Sequence, residues 1–325
     1  MAELIISIAD TTVRRLFNDY VSKMGESLTY KAPRVMGIDE DHVGKIFRFV
    51  VTDLENKMLL DLLPDREPAT LIEFFKRMVD RKNVEVVVMD MHRPYRSVIK
   101  STFPSAKIIV DKFHVTQLAD RKLDEIRRDI RRKMNDAEKQ KFKYVTALLA
   151  MSKEKLSDES EEKLRDVFVQ YPDIRAAYAI KEYLRRTYKA RTRHRAGEML
   201  YDIFRSVPDD IKPLVTLENT LKEWAEEIMN YFDHPFTNAY TEYANKVIKE
   251  INRASRSMSF EQLRYKVLFA ARATKVDKFV AKKADYSPSL SFSNMITVPT
   301  FTDTKVLTRG FGVDMDVLLE ELSKY

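Results

Sequence analysis

Three carboxylates stand where they could share a metal ion. Asp39 closes the short apolar run VMGI, and Asp90 closes VEVVVM. Glu242 lies in TNAYTEYANKVIKEI (237–251), where Asn238, Glu242, Asn245 and Lys249 follow one another at steps of 4, 3 and 4. That spacing puts the four on one polar stripe of a helix, beside an apolar stripe of Tyr240, Ala244, Val247, Ile248 and Ile251. The stripe reads either as a solvated face or as a face that aims Glu242 at the two aspartates. Adjacent carboxylates resist sharing a dry site as anions unless a cation joins them. Mg²⁺, with Mn²⁺ as a substitute, is hard, prefers oxygen ligands, and is usually held by one or two carboxylates plus phosphate oxygens. Two such ions about 3.5–4 Å apart can activate an attacking water or hydroxyl and stabilise the leaving oxygen of a phosphodiester.

Other readings compete for the same residues. Asp90 can simply cap the helix that follows it. Asp111 also ends an apolar run, with His114 three residues on (DKFH), and can replace Asp90 as the second ligand or cap its own helix. Glu40, Asp41, Asp53 and Asp61 read as turn residues near strand ends. His92 and Arg93 follow Asp90 and can reach a scissile phosphate, cap a helix, or lie on the surface. His42 and His234 have no partner pattern.

The elements that must position these groups follow from the periodicity. A helix is predicted over 9–24, and a strand from Val35 to Ile38 ending on Asp39. KIFRFVVTDLENKMLLDLLPD (45–65) gives two more strands with a turn near Glu55 and Asn56. A short helix from Leu71 to Val79 precedes a strand from Val84 to Asp90. Pro94 opens a helix that ends by Pro104, and a fifth strand runs from Ala106 to near Asp111. From Val115 the pattern is helical to about Tyr231, and a further helix runs from Thr237 or Asn238 to Ile251. A tail rich in proline and serine follows Ala270, with a last short helix, MDVLLEEL. Three strands on short turns, then strands separated by helices, predict an α/β fold with a ribonuclease-H-like mixed sheet. In such a sheet the first and fourth strands adjoin, so Asp39 and Asp90 meet at one edge.

The totals narrow the function. The chain has 325 residues, 44% of them hydrophobic, enough for a real core in one large domain or two ordinary ones. It has no cysteine, which excludes a disulfide framework and a cysteine zinc site. The first residues lack the pattern of a signal peptide, and no uncharged run is long enough for a membrane span. A soluble, intracellular protein with no membrane partner is expected. Only 6 glycines occur, none between Gly44 and Gly197, and neither GxGxxG nor a P-loop is present. The net charge of +7 and pI of about 9.2 favour polyanions, nucleic acid first.

Two basic runs carry that charge. RKLDEIRRDIRRK (121–133) sets seven Lys and Arg against three acids, with Arg127 and Arg131, and Arg128 and Arg132, one turn apart. KEYLRRTYKARTRHR (181–195) sets seven Lys and Arg, and His194, against one acid, with Tyr183 and Tyr188 interleaved. Arg127, Arg128, Arg131, Arg132, Arg186, Lys189, Arg191, Arg193 and Arg195 are the candidate DNA contacts, and binding through them should weaken with salt. The alternative is solvated faces with local ion pairs. Trp224 lies on an apolar helix face and reads as core.

Four ordered stretches carry a resemblance: GIDE (37–40), VVTDLENKMLLDLLPDR (50–66), VVMDMHRPYRSVIKSTFPSAKIIVDKFHV (87–115) and TNAYTEYANKVIKEINRASRSMSFEQLRYKVLF (237–269). Together they resemble the transposases of bacterial insertion sequences in the ISL-three family, of the DDE class. The resemblance covers roughly residues 10 to 270. It implies a ribonuclease-H-like catalytic core (31–133 plus 236–270) with an all-helical insertion (134–235) between the fifth strand and the glutamate helix. A helical segment (1–30) precedes the core and a tail (271–325) follows it. By this likeness Asp39 matches the first acid and Glu242 the acid of the pattern TN...E..N. Asp90 is taken as the second acid because it ends the fourth strand. Asp111 and His114 match a following signature and are given supporting roles, and Asn238 and Asn245 position the glutamate helix or touch DNA.

The implied activity is Mg²⁺-dependent hydrolysis at the ends of an insertion sequence, then strand transfer into target double-stranded DNA. A homodimer cutting two ends at the bacterial nucleoid is expected. The alternatives are a truncated or domesticated DNA-binding protein without catalysis, and a nuclease that cuts without joining. The family usually carries an N-terminal cysteine zinc ribbon and a helix-turn-helix. This chain has no cysteine and begins at what resembles the last helix of that region. DHVGKIFRF stands where the family usually has a basic KGH-like stretch.

Overall fold

The computed structural model describes residues 30–254 and 258–268, together with Thr12, Arg15, Leu16 and Asp19. Strands β1 (Val35–Val43), β2 (Ile46–Asp53) and β3 (Met58–Leu63) form an antiparallel meander. Gly44 closes the first turn at φ 70°, a left-handed conformation that costs glycine little. Asp53 closes the second by accepting from the backbone amides of Glu55 and Asn56 at 3.1 and 2.9 Å, the turn role expected of it. Strands β4 (Val86–Met89) and β5 (Lys107–Val110) add in parallel, giving the order β3-β2-β1-β4-β5. This is the mixed sheet of a ribonuclease-H-like core.

Helices α1 (Pro68–Arg77) and α2 (Arg93–Thr102) make the crossovers, each opened by a proline in its first turn. Helix α3 (Lys112–Arg132) leaves β5, and the described elements from there to 235 are helical: α4 (Asp136–Lys141), α5 (Val145–Ala150), α6 (Asp158–Gln170), α7 (Pro172–Thr187), α8 (Arg193–Ser206), α9 (Lys212–Glu223) and α10 (Ala225–Met229). Helix α11 (Ala239–Ala254) returns to the sheet, and α12 (260–268) follows. Thr12, Arg15, Leu16 and Asp19 are helical as expected. The rest of that segment, the tail after Ala270 and the MDVLLEEL helix lie outside the described residues. No helix among the described residues is long and apolar enough to cross a membrane.

Strand alternation sorts the core onto two sides of the sheet. Met36, Ile38, Phe49, Val51, Val87 and Met89 face α1, α2 and α3 in the main core. On the other face, Val35, Val86, Val88 and Ile109 form one cluster, and Val50 and Leu62 pack on Ala244 and Ile248 of α11 and Leu263 of α12. All four residues of β4 are buried, which is why VVVM reads as an unbroken apolar run. Trp224 is core, as expected, with the Arg96 guanidinium 4.0 Å over its ring.

Three of the acids expected in turns, Glu40, Asp41 and Asp61, lie in strands instead. Glu40 is inside β1, because the β1–β2 hairpin continues beyond the sheet to Val43; its carboxylate meets Arg66 at 2.6 Å and accepts from the Tyr95 hydroxyl. Asp61, inside β3, is fully buried and holds the Arg264 guanidinium in a fork at 2.7 and 2.6 Å, with the Tyr30 hydroxyl donating at 2.5 Å. Burial works against the charge on Arg264, but Asp61 outweighs it and holds the guanidinium above its ordinary pKa. Removing one partner of such a pair strands a buried charge. Arg264→Met should therefore cost about 3–5 kcal/mol in urea unfolding, and adding Asp61→Leu should recover much of that loss.

Candidate active site

The register of the parallel strands decides which acids can meet. Gly37 pairs with Val88, and Val88 with Ile109. Two residues further along each strand stand Asp39, Asp90 and Asp111, at one level and by alternation on one face. They line the carboxyl ends of β4 and β5, where open α/β sheets place their sites. Asp39 is not the end of its strand, as expected, but an interior residue paired with Val50 of β2. Only its parallel neighbour ends there.

Asp111 is the helix cap of the competing reading. Its carboxylate accepts from the Phe113 amide at 2.7 Å, and its other oxygen accepts from the Asn238 amide at 2.5 Å. It is buried and ties β5, α3 and the start of α11 together. His114, one turn into α3, reaches past it, and its Nε2 lies 2.8 Å from Asp90 Oδ1. Burial lowers the affinity of His114 for a proton, but Asp90, Asp39 and Asp111 together raise its pKa above the ordinary value.

Helix α11 lies along β1 and is not a solvated face. The Asn238 amide group donates to Ile38 O at 3.0 Å, Asn245 Nδ2 donates to Asp39 Oδ2 at 2.7 Å, and Lys249 Nζ pairs with Asp41 at 2.6 Å. Four helical residues rise about 6 Å, and two strand residues about 6.6 Å. The two elements therefore keep step from Asn245 at Asp39 to Lys249 at Asp41, while Asn238, seven residues before Asn245, meets Gly37 and Ile38. Thr241 Oγ1 and Thr52 Oγ1 are hydrogen-bonded at 2.7 Å beneath them. A Cβ built on Gly37 would sit 2.4 Å from Thr241 Oγ1, 2.6 Å from Thr52 Oγ1 and 2.7 Å from Asn238 Oδ1, so only glycine admits the helix here. A lone glycine inside a strand pattern is the signal that could have shown this approach in advance.

Glu242 is the remaining member of the stripe, between Asn238 and Asn245, and half-buried. No hydrogen bond or ion pair with a described residue occupies its carboxylate. Among the described residues, no three His, Asp or Glu come close enough to form a ready metal cage.

The electrostatics of Asp39 and Asp90 are unfavourable without a counter-charge. Burial and the neighbouring charge of Asp90 push the Asp39 carboxyl up to about 7, and His114 and the Glu40 amide offset this only in part. Asn245 Oδ1 is buried without a donor. Carboxylates in mutual repulsion beside an unsatisfied acceptor oxygen suit a hard, hydrated cation, whose charge relieves the first and whose water supplies the second. Asp39 and Asp90 fit such an ion as its protein ligands.

The other candidates are distributed more widely. Arg93 is engaged by Glu223 at 2.6 and 2.5 Å, and the His92 ring packs tilted against Tyr95 with centroids 4.1 Å apart. His42 stacks on Phe47. In the first basic run Arg127 is buried and, like Arg128, pairs with Asp124 at 2.6 and 3.0 Å; Arg132 pairs with Asp129 at 2.7 Å. Arg131 is exposed. In the second run Lys189 pairs with Glu154, Arg193 with Asp233, and Arg195 with Glu198 at 2.9 Å, whereas Arg186 and Arg191 are exposed. The two runs approach each other where α3 packs on α7 through Arg185 and Asp120 at 3.0 Å.

The family model described as transposase, DDE_Tnp_ISL3, matches residues 36–267, more than half of the chain. No curated protein matches it.

The raised Asp39 carboxyl has a sign that can be checked. A buried acid with a folded pKa near 7 and an unfolded value of about 3.9 binds its proton more tightly in the folded state. Stability therefore falls as pH rises from about 4 to 7, and the cost is complete above that. His114 acts in the same direction, since its favourable charge is lost as pH rises through its raised pKa. Asp39→Asn should melt higher than wild type at pH about 8 without divalent ions, by roughly 2–4 °C per kcal/mol recovered. The difference should vanish near pH about 4. Scanning calorimetry across that range reads both.

Proposed function

The chain belongs to the ISL-three family of DDE transposases, and on that premise we propose that it cuts DNA at the ends of an insertion sequence and transfers the freed strand to target DNA. In this reading Asp39 and Asp90 hold Mg²⁺, or Mn²⁺ in its place, with Glu242 as the third acid facing the bound DNA. The ion would neutralise charge on the scissile phosphate and sharpen the attacking oxygen. The observation that carries the proposal is the pairing of Asp39 and Asp90 at one level of adjacent parallel strands, with the Asp39 carboxyl raised to about 7.

The chain's own groups divide the remaining work. Asn245 orients the Asp39 carboxylate through Oδ2, and the Glu40 amide donates to Oδ1 at 2.8 Å. His114 holds Asp90 and supplies positive charge beside it until an ion does. Asn238 and Asp111 fix the start of the glutamate helix, so they are positioning residues. Water attacks the phosphodiester and releases a 3′-hydroxyl, which then attacks a phosphodiester of the target and displaces its 3′ oxygen. Positioning and charge neutralisation carry most of the acceleration in such a scheme. The exposed Arg128, Arg131, Arg132, Arg186 and Arg191 are assigned to flanking phosphates. The helical stretch 134–235 is an insertion in the catalytic core, the active form is a homodimer, and its place is the bacterial nucleoid.

One observation favours a second reading, a DNA-binding protein that does no chemistry: Glu242 does not close on the two aspartates as a three-residue cage. Nicking of supercoiled DNA with Mg²⁺ or Mn²⁺ separates the two. Wild type should nick, and Asp39→Ala, Asp90→Ala and Glu242→Ala should each lose at least about 100-fold in rate, equivalent to about 2.7 kcal/mol, while binding duplex DNA with unchanged affinity. Asp111→Ala should lose mainly stability. Salt-sensitive binding with no nicking by wild type would sink the catalytic reading.

A further inference from the structure

Several cations in the helical region have no acid partner among the described residues, and four of them converge. Lys153, Arg165, Arg175 and Arg186 line a single cleft of about 510 Å³ between α6, α7 and the turn at Lys153–Lys155. None of the four forms an ion pair with a described residue. The cleft has an apolar floor that includes Leu156 and Phe168, and the Phe168 ring packs on Tyr178 at 5.3 Å. Of the two acids in its wall, Glu182 is already paired with Lys181 at 3.0 Å and accepts from the Lys153 amide at 3.0 Å. Glu161 is the only other acid there, so the lining keeps a clear cationic excess.

An apolar floor inside a ring of cations narrows the ligand. Duplex DNA presents phosphates to such a rim but no base face to the floor. An unpaired nucleotide offers both, and stacking of a base on an aromatic ring is sequence-tolerant and worth about 1–3 kcal/mol. The volume lies within the roughly 300–1,000 Å³ of small-ligand clefts. We propose that this cleft binds single-stranded DNA, with one unpaired base against Phe168 and the adjoining phosphates on Arg165, Arg175, Arg186 and Lys153. The choice of DNA among polyanions rests on the transposase reading above. Transposition as proposed there frees a strand end, and this cleft would hold it.

The test compares a labelled oligonucleotide of about 16 residues with a duplex of the same sequence by fluorescence anisotropy. Arg165 and Arg175 are exposed and lie outside the proposed catalytic site. The double variant Arg165→Gln/Arg175→Gln should weaken single-strand binding at least about tenfold and reduce the salt slope by about 1.4, two phosphate contacts' worth. Duplex affinity should stay within about twofold, which doubles as the control for folding. Phe168→Leu keeps the floor apolar, and should abolish the quenching of a 2-aminopurine base in the oligonucleotide while leaving the salt slope unchanged.

Equal weakening on single strand and duplex, no weakening at all, or displacement by micromolar free mononucleotide would each overturn the proposal. Nicking of plasmid by the wild type is scored in parallel. Intact nicking with no single-strand discrimination removes the cleft alone. Discrimination without nicking keeps the cleft and removes the transposase chemistry.

Discussion

Everything at the site depends on how closely α11 can approach β1. The contact is made at Gly37, where a methyl group would collide with Thr241, Thr52 and Asn238 at once. With that contact in place, Asn245 reaches Asp39 and Lys249 reaches Asp41, across some two hundred residues of intervening chain. From Asn245 to Lys249 a helical step of four matches the strand step of two from Asp39 to Asp41. The tie between Asp111 and the Asn238 amide fixes the start of the returning helix at the end of β5.

Two buried acid clusters in this protein show opposite electrostatics, and the contrast bears on their roles. Asp61 is fully enclosed and satisfied by Arg264 and Tyr30. It closes the far edge of the sheet and needs nothing further. Asp39 is less enclosed, is opposed by Asp90, and is left with a carboxyl near 7. A fold that can satisfy Asp61 fully has the means to neutralise Asp39 too, yet it brings His114, Asn245 and the Glu40 amide near it and no described Lys or Arg pairs with it. Perturbed acids of this kind mark functional sites more often than structural ones, and they are kept at a cost in stability.

The element order, the sheet and the glutamate helix were legible because each rests on a local period. VVVM and KIIV are unbroken apolar runs, and the stripe from Asn238 to Lys249 repeats at helical spacing. What the stripe touches was not legible, since solvent and a neighbouring strand both accept polar residues. The length of β1 was hidden because DEDH reads as a turn. Those residues remain in a strand because the hairpin extends past β4, with Asp41 opposite Arg48 and His42 opposite Phe47. Counting charges in the basic runs also misleads. Lys181 is fully buried and donates to Leu149 O and Met151 O at 2.7 and 2.8 Å, and Arg127 turns back onto Asp124. Arg165 stands among acids in DESEEKLRD, so nothing in the linear order suggested that it faces the same cleft as Arg175 and Arg186.

The proposed chemistry requires one divalent ion between Asp39 and Asp90, within reach of Glu242. Fe²⁺ in place of Mg²⁺, with ascorbate and peroxide, generates hydroxyl radicals that cut the backbone beside the bound ion. The expected result is a small set of cuts next to Asp39, next to Asp90 and in the first turn of α11, competed away by Mg²⁺ and lost in Asp39→Asn. Cuts elsewhere in the chain, or cuts at these places that persist in Asp39→Asn, would contradict it.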